Sequence, residues 1–186
     1  MRTGEIVVIR YRKGLKIGSV REVSAGKVKI GIDRTKTVSV PRENVLIETA
    51  VEASTQGEID RFAAAVESQA ASLDLAELWE LLADEKRAFS FDELADLLGV
   101  EANAPSDRAA LLFHLESESN PHFLAEDGAY RAASAEAVAR EQERAQRAAA
   151  ESREDDELRR WLAGDATADI SLETLTARQR SWLDRV

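Results

Sequence analysis

Near residue 49 the spacing of apolar side chains changes period, and that change divides the chain into a strand-forming part and a helix-forming part. Lys27-Val28-Lys29-Ile30-Gly31-Ile32-Asp33 alternates, with Val28, Ile30 and Ile32 on one face and Lys27, Lys29 and Asp33 on the other. That is the period of a half-buried strand. Thr37-Val38-Ser39-Val40 repeats the pattern, and Pro41, which has no N–H for a ladder, ends it. Gly4–Arg12 and Ile17–Val23 read as two further strands, and Val45-Leu46-Ile47 as a last one. Lys13-Gly14, Ser24-Ala25-Gly26 and Arg34-Thr35-Lys36 supply the turns. Five short strands with glycines at the bends predict a small SH3-like β-barrel over residues 1–48.

Residues 49–71 turn to Ala, Glu, Ser and Gln, a linker running into a helix from Glu58. Leu75, Leu78, Trp79 and Leu82 then recur at helical spacing. Ser90 and Glu93 form a capping box for a second helix that stops at Gly99, and Pro105-Ser106-Asp107 opens a third. Asp127-Gly128 between Phe123-Leu124-Ala125 and Ala129-Tyr130-Arg131 predicts a hairpin. Three helices and a hairpin make a winged helix-turn-helix over residues 72–132. Residues 133–164 read as one long charged helix, with Glu136/Arg140 and Glu143/Arg147 four apart and acid first. A short helix over 165–186, carrying Trp182 and Leu183, is expected to lead to a downstream domain. The fold class expected is α+β.

Charge follows the same division. Residues 1–48 hold eleven Lys/Arg against five acids, a net of +6, while the whole chain of 186 residues carries −10. Residues 49–132 hold five basic and eighteen acidic groups, a net of −13. Only the first part suits a polyanion. The chain has no cysteine, which removes disulfides, thiolate metal sites and cysteine nucleophiles and fits a reducing compartment. Its apolar runs are too short to span a bilayer, so a cytoplasmic location and no membrane partner are expected. His114 and His122 are the only histidines, and Asp155-Asp156-Glu157 point in divergent directions on a helix, so no metal site is expected.

Lys13, Lys16, Lys27, Lys29, Arg34 and Lys36 are the candidate contacts to a nucleic-acid backbone. The competing reading is that these lysines keep the edges of a small sheet soluble. Tyr11 is the only aromatic in the strand region, so a base-stacking platform is lacking there and a grip on phosphates, or a protein contact, is favoured over sequence reading. The third helix offers Arg108 and His114 among Asp107, Glu116 and Glu118, a poor surface for a major groove. No phosphate-cradling glycine loop and no Ser/His/Asp grouping is present.

The order of parts resembles the N-terminal region of ribonuclease II/R-family exoribonucleases of the cyanobacterial, plastid and Deinococcus-like branch, in which a helix-turn-helix region stands in place of cold-shock domains. Gly4-Glu5-Ile6-Val7, Pro41-Arg42-Glu43-Asn44-Val45, Leu78-Trp79-Glu80-Leu81-Leu82, Glu93-Leu94-Ala95-Asp96-Leu97-Leu98, Gly128-Ala129-Tyr130-Arg131 and Leu158-Arg159-Arg160-Trp161-Leu162 carry the likeness. The resemblance implies an accessory RNA-binding region that guides single-stranded RNA to a catalytic domain, docked downstream, which hydrolyses RNA from the 3′ end with magnesium held by an Asp cluster. That cluster is not in this sequence, so no catalytic residue and no cofactor is assigned to the chain itself. A protein-interaction adaptor and a winged-helix DNA-binding regulator are the alternatives.

Overall fold

In a computed structural model of the chain, which describes residues 1–117, 119–164 and 180, the run Ile6–Ile9 lies within the first strand, β1 (Glu5–Tyr11). The chain is mixed α+β and falls into two units, Met1–Ser134 and a second beginning at Ala135. After β1 come β2 (Gly14–Ser24), β3 (Lys27–Gly31), β4 (Thr37–Pro41), a single 3-10 turn at Arg42–Asn44, and β5 (Val45–Glu52). All pairings are antiparallel and the strand order is β4-β3-β2-β1-β5. The outer strands β4 and β5 do not pair with each other, so the closed barrel expected from the strand spacing is not formed and the sheet stays open.

The long strand β2 pairs with β1 through its first half and with β3 through its second. At the crossing, Gly18 lies so close to β3 that a Cβ there would sit 2.6 Å from the Gly31 carbonyl oxygen. No residue with a side chain fits that spot without moving the strand. Val7, Ile9, Val20, Val28, Ile30, Val38 and Val40 form one buried cluster against the sheet.

Its other side is also covered. Val8 and Ile47 belong to a second core together with the helices α1 (Gln56–Ala70), α2 (Leu75–Leu82), α3 (Phe91–Leu97) and α4 (Pro105–Leu115). This explains why β1 reads as an unbroken apolar run whereas β3 alternates: β1 is buried on both faces and β3 on one. Strand β5 runs on to Glu52 and α1 begins only four residues later, so the segment following residue 48 is strand, then a short connection, then helix.

The helices start where their caps place them. Thr55 and Glu58 form a capping box on α1, Asp74 accepts from the N–H groups of Ala76 and Glu77 at α2, and Ser90 with Glu93 caps α3. The backbone N–H of Ser90 holds the Glu93 carboxyl far below the usual range, at about 2, with Arg87 assisting. Beyond α4, Asp127 and Gly128 both take positive φ and turn β7 (Phe123–Glu126) into β8 (Ala129–Ala132), the hairpin expected at that site. A two-residue strand, β6 (Ala88–Phe89), pairs with β8 to give a three-stranded sheet in the order β6-β8-β7.

The second unit contains α5 (Ala135–Leu162), 28 residues with only a thin apolar stripe. Arg147 and Glu143 pair at 2.6 Å as the spacing predicts, while Arg140 donates to the Glu136 carbonyl oxygen rather than to its carboxylate. The short helix expected over 165–186, with Trp182 and Leu183, lies outside the described residues except for Arg180. Among the described residues no helix is long and apolar enough to cross a membrane.

Candidate nucleic-acid interface

The six candidate cations do not form one patch. Lys27 and Lys29 stand on the exposed face of β3, close to the Ala25-Gly26 turn. Lys29 faces Glu22 on β2 and pairs with it at 2.7 Å, which lowers the pKa of the Glu22 carboxyl and takes up the lysine's charge. Lys16 is exposed on the first half of β2, opposite Ile9.

Lys13, Arg34 and Lys36 lie in the two loops that approach Tyr11. The Lys36 ammonium sits 5.8 Å from the centre of the Tyr11 ring. The guanidinium of Arg12, a residue absent from the candidate set, sits 5.4 Å from the same ring. Both contacts are of cation–π type, and they bring the β1–β2 turn and the β3–β4 loop to one corner of the sheet. Arg12 holds a φ of 58°, a left-handed conformation that suits glycine better than a branched or long side chain. The β3–β4 loop is pinned by Asp33, whose carboxylate accepts from the backbone N–H groups of Thr35 and Lys36, each at 2.8 Å, and from the Thr35 hydroxyl. Those donors lower its pKa and fix the loop that carries Arg34 and Lys36.

Of the eleven basic side chains in residues 1–48, three are in ion pairs among the described residues: Arg10 with Glu116, Lys29 with Glu22 and Arg42 with Glu48. Arg12, Lys13, Arg34 and Lys36 have none within 4.0 Å among the described residues. The helical region differs. Arg87 pairs with Glu93, Arg108 with Asp92 and Arg131 with Glu126. Arg108 also lies over the Phe91 ring at 4.8 Å.

Helix α4 is the third helix of the region expected to be a winged helix-turn-helix. None of its residues is fully exposed, and Ala109, Ala110, Leu111, Leu112 and Leu115 are buried. Its C-terminal end is fastened on two sides. His114 brings Nδ1 to 2.9 Å from the Ala70 carbonyl oxygen at the end of α1. Glu116, just past the helix, receives Arg10 from β1 and the Tyr130 hydroxyl from β8 at 3.2 Å. Burial and that carboxylate push the Tyr130 hydroxyl pKa up. Nearby, the Trp79 indole N–H donates to the Ala133 carbonyl oxygen and the ring stacks obliquely on His122, whose burial lowers its pKa.

A groove of about 520 Å³ runs between the first half of β2, α1 and the end of α4, lined by Leu15, Lys16, Ile17, Ile59, Val66, Phe113 and His114 among others. Among the described residues no three His, Asp or Glu side chains are grouped to hold a metal ion. No protein-family model, curated protein or solved structure matches the chain.

Proposed function

We propose that this chain is an RNA-binding accessory region of a ribonuclease II-type 3′-to-5′ exoribonuclease, whose sheet corner holds the phosphodiester backbone of a single strand. The observation that carries the reading is the corner at Tyr11: Arg12 and Lys36 both lie on the Tyr11 ring, Lys13 and Arg34 belong to the same turn and loop, and none of the four has an acidic partner within ion-pair range among the described residues. Unpaired cations on a fixed turn and a pinned loop suit phosphates, because little side-chain or loop ordering remains to be done on binding. Lys16 on β2 extends the cationic surface; Lys27 and Lys29 stand apart on β3 and are secondary in this reading.

In the same reading residues 1–52 are an SH3-like module and residues 75–132 a winged helix-turn-helix. The strand order β4-β3-β2-β1-β5 with a 3-10 turn before β5 supports the first, and the order β6-β8-β7 beside α2, α3 and α4 supports the second. The wing region would serve as a scaffold rather than as a reader, since α4 is covered and Arg108 is engaged by Asp92. Magnesium and the hydrolytic step belong to a catalytic domain outside these residues.

Retention of a labelled oligonucleotide on a filter tests this. The chain should retain single-stranded RNA at low salt, lose it steeply at moderate salt, and prefer it to duplex DNA. No retention at low salt would leave an adaptor that contacts only protein, and a preference for duplex would favour a DNA-binding regulator.

A further inference from the structure

The strand region lacks a free aromatic surface, since Tyr11 is already flanked by two cations. The groove between β2, α1 and α4 offers one from elsewhere in the chain. Phe113 and His114, both half-buried on α4, line it opposite Leu15 and Ile17 of β2. Its volume of about 520 Å³ falls in the range of small-molecule sites. The Gln56 side chain, at the start of α1, also lines it. Its Nε2 donates to Asp60 at 2.9 Å, but its Oε1 is buried with no donor. A buried acceptor left open is what an incoming N–H group would satisfy.

Two lining residues adjoin, in sequence, the turn and the loop of the cationic corner. Ile32, which opens the loop carrying Arg34 and Lys36, lines the groove, and so does Lys16, three residues beyond Lys13. Asp60 and Glu67 line the groove on the α1 side, so an anionic group is excluded there and directed to the Lys16 side. One end therefore suits phosphate, and the interior suits a flat apolar ring that carries N–H donors.

We propose that the groove takes a single unstacked nucleobase from a strand whose backbone lies on the Tyr11 corner. The ring packs on Phe113, an exocyclic amine donates to Gln56 Oε1, and the adjoining phosphate meets Lys16. This rests on the RNA-binding reading and adds to it a base-holding site that the strand region alone cannot provide. Base stacking on an aromatic side chain of this kind strengthens binding of a single strand by roughly 5- to 150-fold per base.

The test is fluorescence anisotropy with the full chain and labelled adenine-containing RNA, set beside the same strand with abasic sites and beside the variants Phe113→Leu and Gln56→Leu. Circular dichroism confirms that the variants keep the fold. The abasic strand should bind about tenfold more weakly. Phe113→Leu and Gln56→Leu should weaken the intact strand and leave the abasic strand unchanged. Equal binding of intact and abasic strands overturns the base site while leaving the phosphate-binding reading in place. No binding of either strand overturns both.

Discussion

The sheet and the helical region of the first unit share a core and differ in the share of their cations that carboxylates engage: three of eleven in residues 1–48 and three of five in residues 49–132, counted among the described residues. Val8 and Ile47 of the sheet pack in one cluster with Leu75, Leu94, Leu111 and Tyr130, so the two regions are one unit of packing. On the surface they diverge. The helical region ties Arg87, Arg108 and Arg131 to carboxylates, and the sheet region pairs Arg10, Lys29 and Arg42, but Arg12 and Lys36 at Tyr11, with Lys13 and Arg34 in the same turn and loop, are in no ion pair among the described residues. A polyanion therefore meets cations outside ion-pair range of any acid on one region, and a net acidic surface with three of its arginines engaged on the other, among the described residues. Net charge counted along the chain gives the sign of each region; only pairing tells which cations are available.

The shared core can be broken most severely from α4. Leu111 is fully buried, so Leu111→Ala should cost about 2–5 kcal/mol. Because the sheet and the helices share that core, far-UV circular dichroism and near-UV signals should fall in one transition; two separate transitions would show that the regions fold independently.

Glu116 comes next, since it joins Arg10 of the sheet to Tyr130 of the hairpin. Glu116→Ala leaves a mostly buried tyrosine hydroxyl without its acceptor, and a loss of about 1–3 kcal/mol is expected by denaturant titration. A loss below about 0.5 kcal/mol would mean that the contact contributes no more than an ordinary surface ion pair.

Arg12 sharpens the contrast from the other side. Glycine fits its φ of 58° better, so Arg12→Gly should leave stability unchanged or raise it by up to about 1 kcal/mol while weakening RNA binding. Weaker folding with unchanged binding would show that the arginine serves the turn alone.

The smallest effect concerns pH. Burial against Trp79 lowers the His122 pKa, so the fold favours the neutral ring. The associated stability is complete above the unfolded value of about 6.5 and is lost as pH falls below it toward the depressed folded value. A small fall in Tm between pH 7.5 and 5.5 should follow, and His122→Gln should remove it. The carboxylates with lowered pKa, Glu58 and Glu93 among them, lose their contribution only in more acidic solution.

Much of this architecture was legible because local signals agreed with it. The alternation from Lys27, the Ser90/Glu93 cap and the Asp127-Gly128 turn each depend on neighbours in sequence; the cap and the turn formed where expected, and the strand formed over Lys27–Gly31, leaving Ile32 and Asp33 to the loop. The run Ile6–Ile9 announced a strand, but which elements cover its second face depends on packing across more than a hundred residues. A two-residue strand such as β6 carries too few residues for any period. Closure of a barrel depends on whether β4 reaches β5, which strand counts do not determine.

The candidate site was legible in part. Counting back through the hairpin at Gly26 places Glu22 opposite Lys29, so that neutralised pair could have been anticipated. The meeting of Arg12 and Lys36 at Tyr11 could not, because it joins two loops through tertiary structure. The same holds for Phe113, which reaches the β2 groove only through the position of α4.

The most direct measurement is the salt dependence of RNA binding in three proteins: wild type, Arg34→Ala/Lys36→Ala, and Lys27→Ala/Lys29→Ala. If the Tyr11 corner holds the backbone, the log–log slope should shrink by about 0.7 for each phosphate that the first double variant no longer neutralises, and change little in the second. Equal slopes in wild type and the Arg34/Lys36 variant, or a larger reduction from the β3 lysines, would contradict the account.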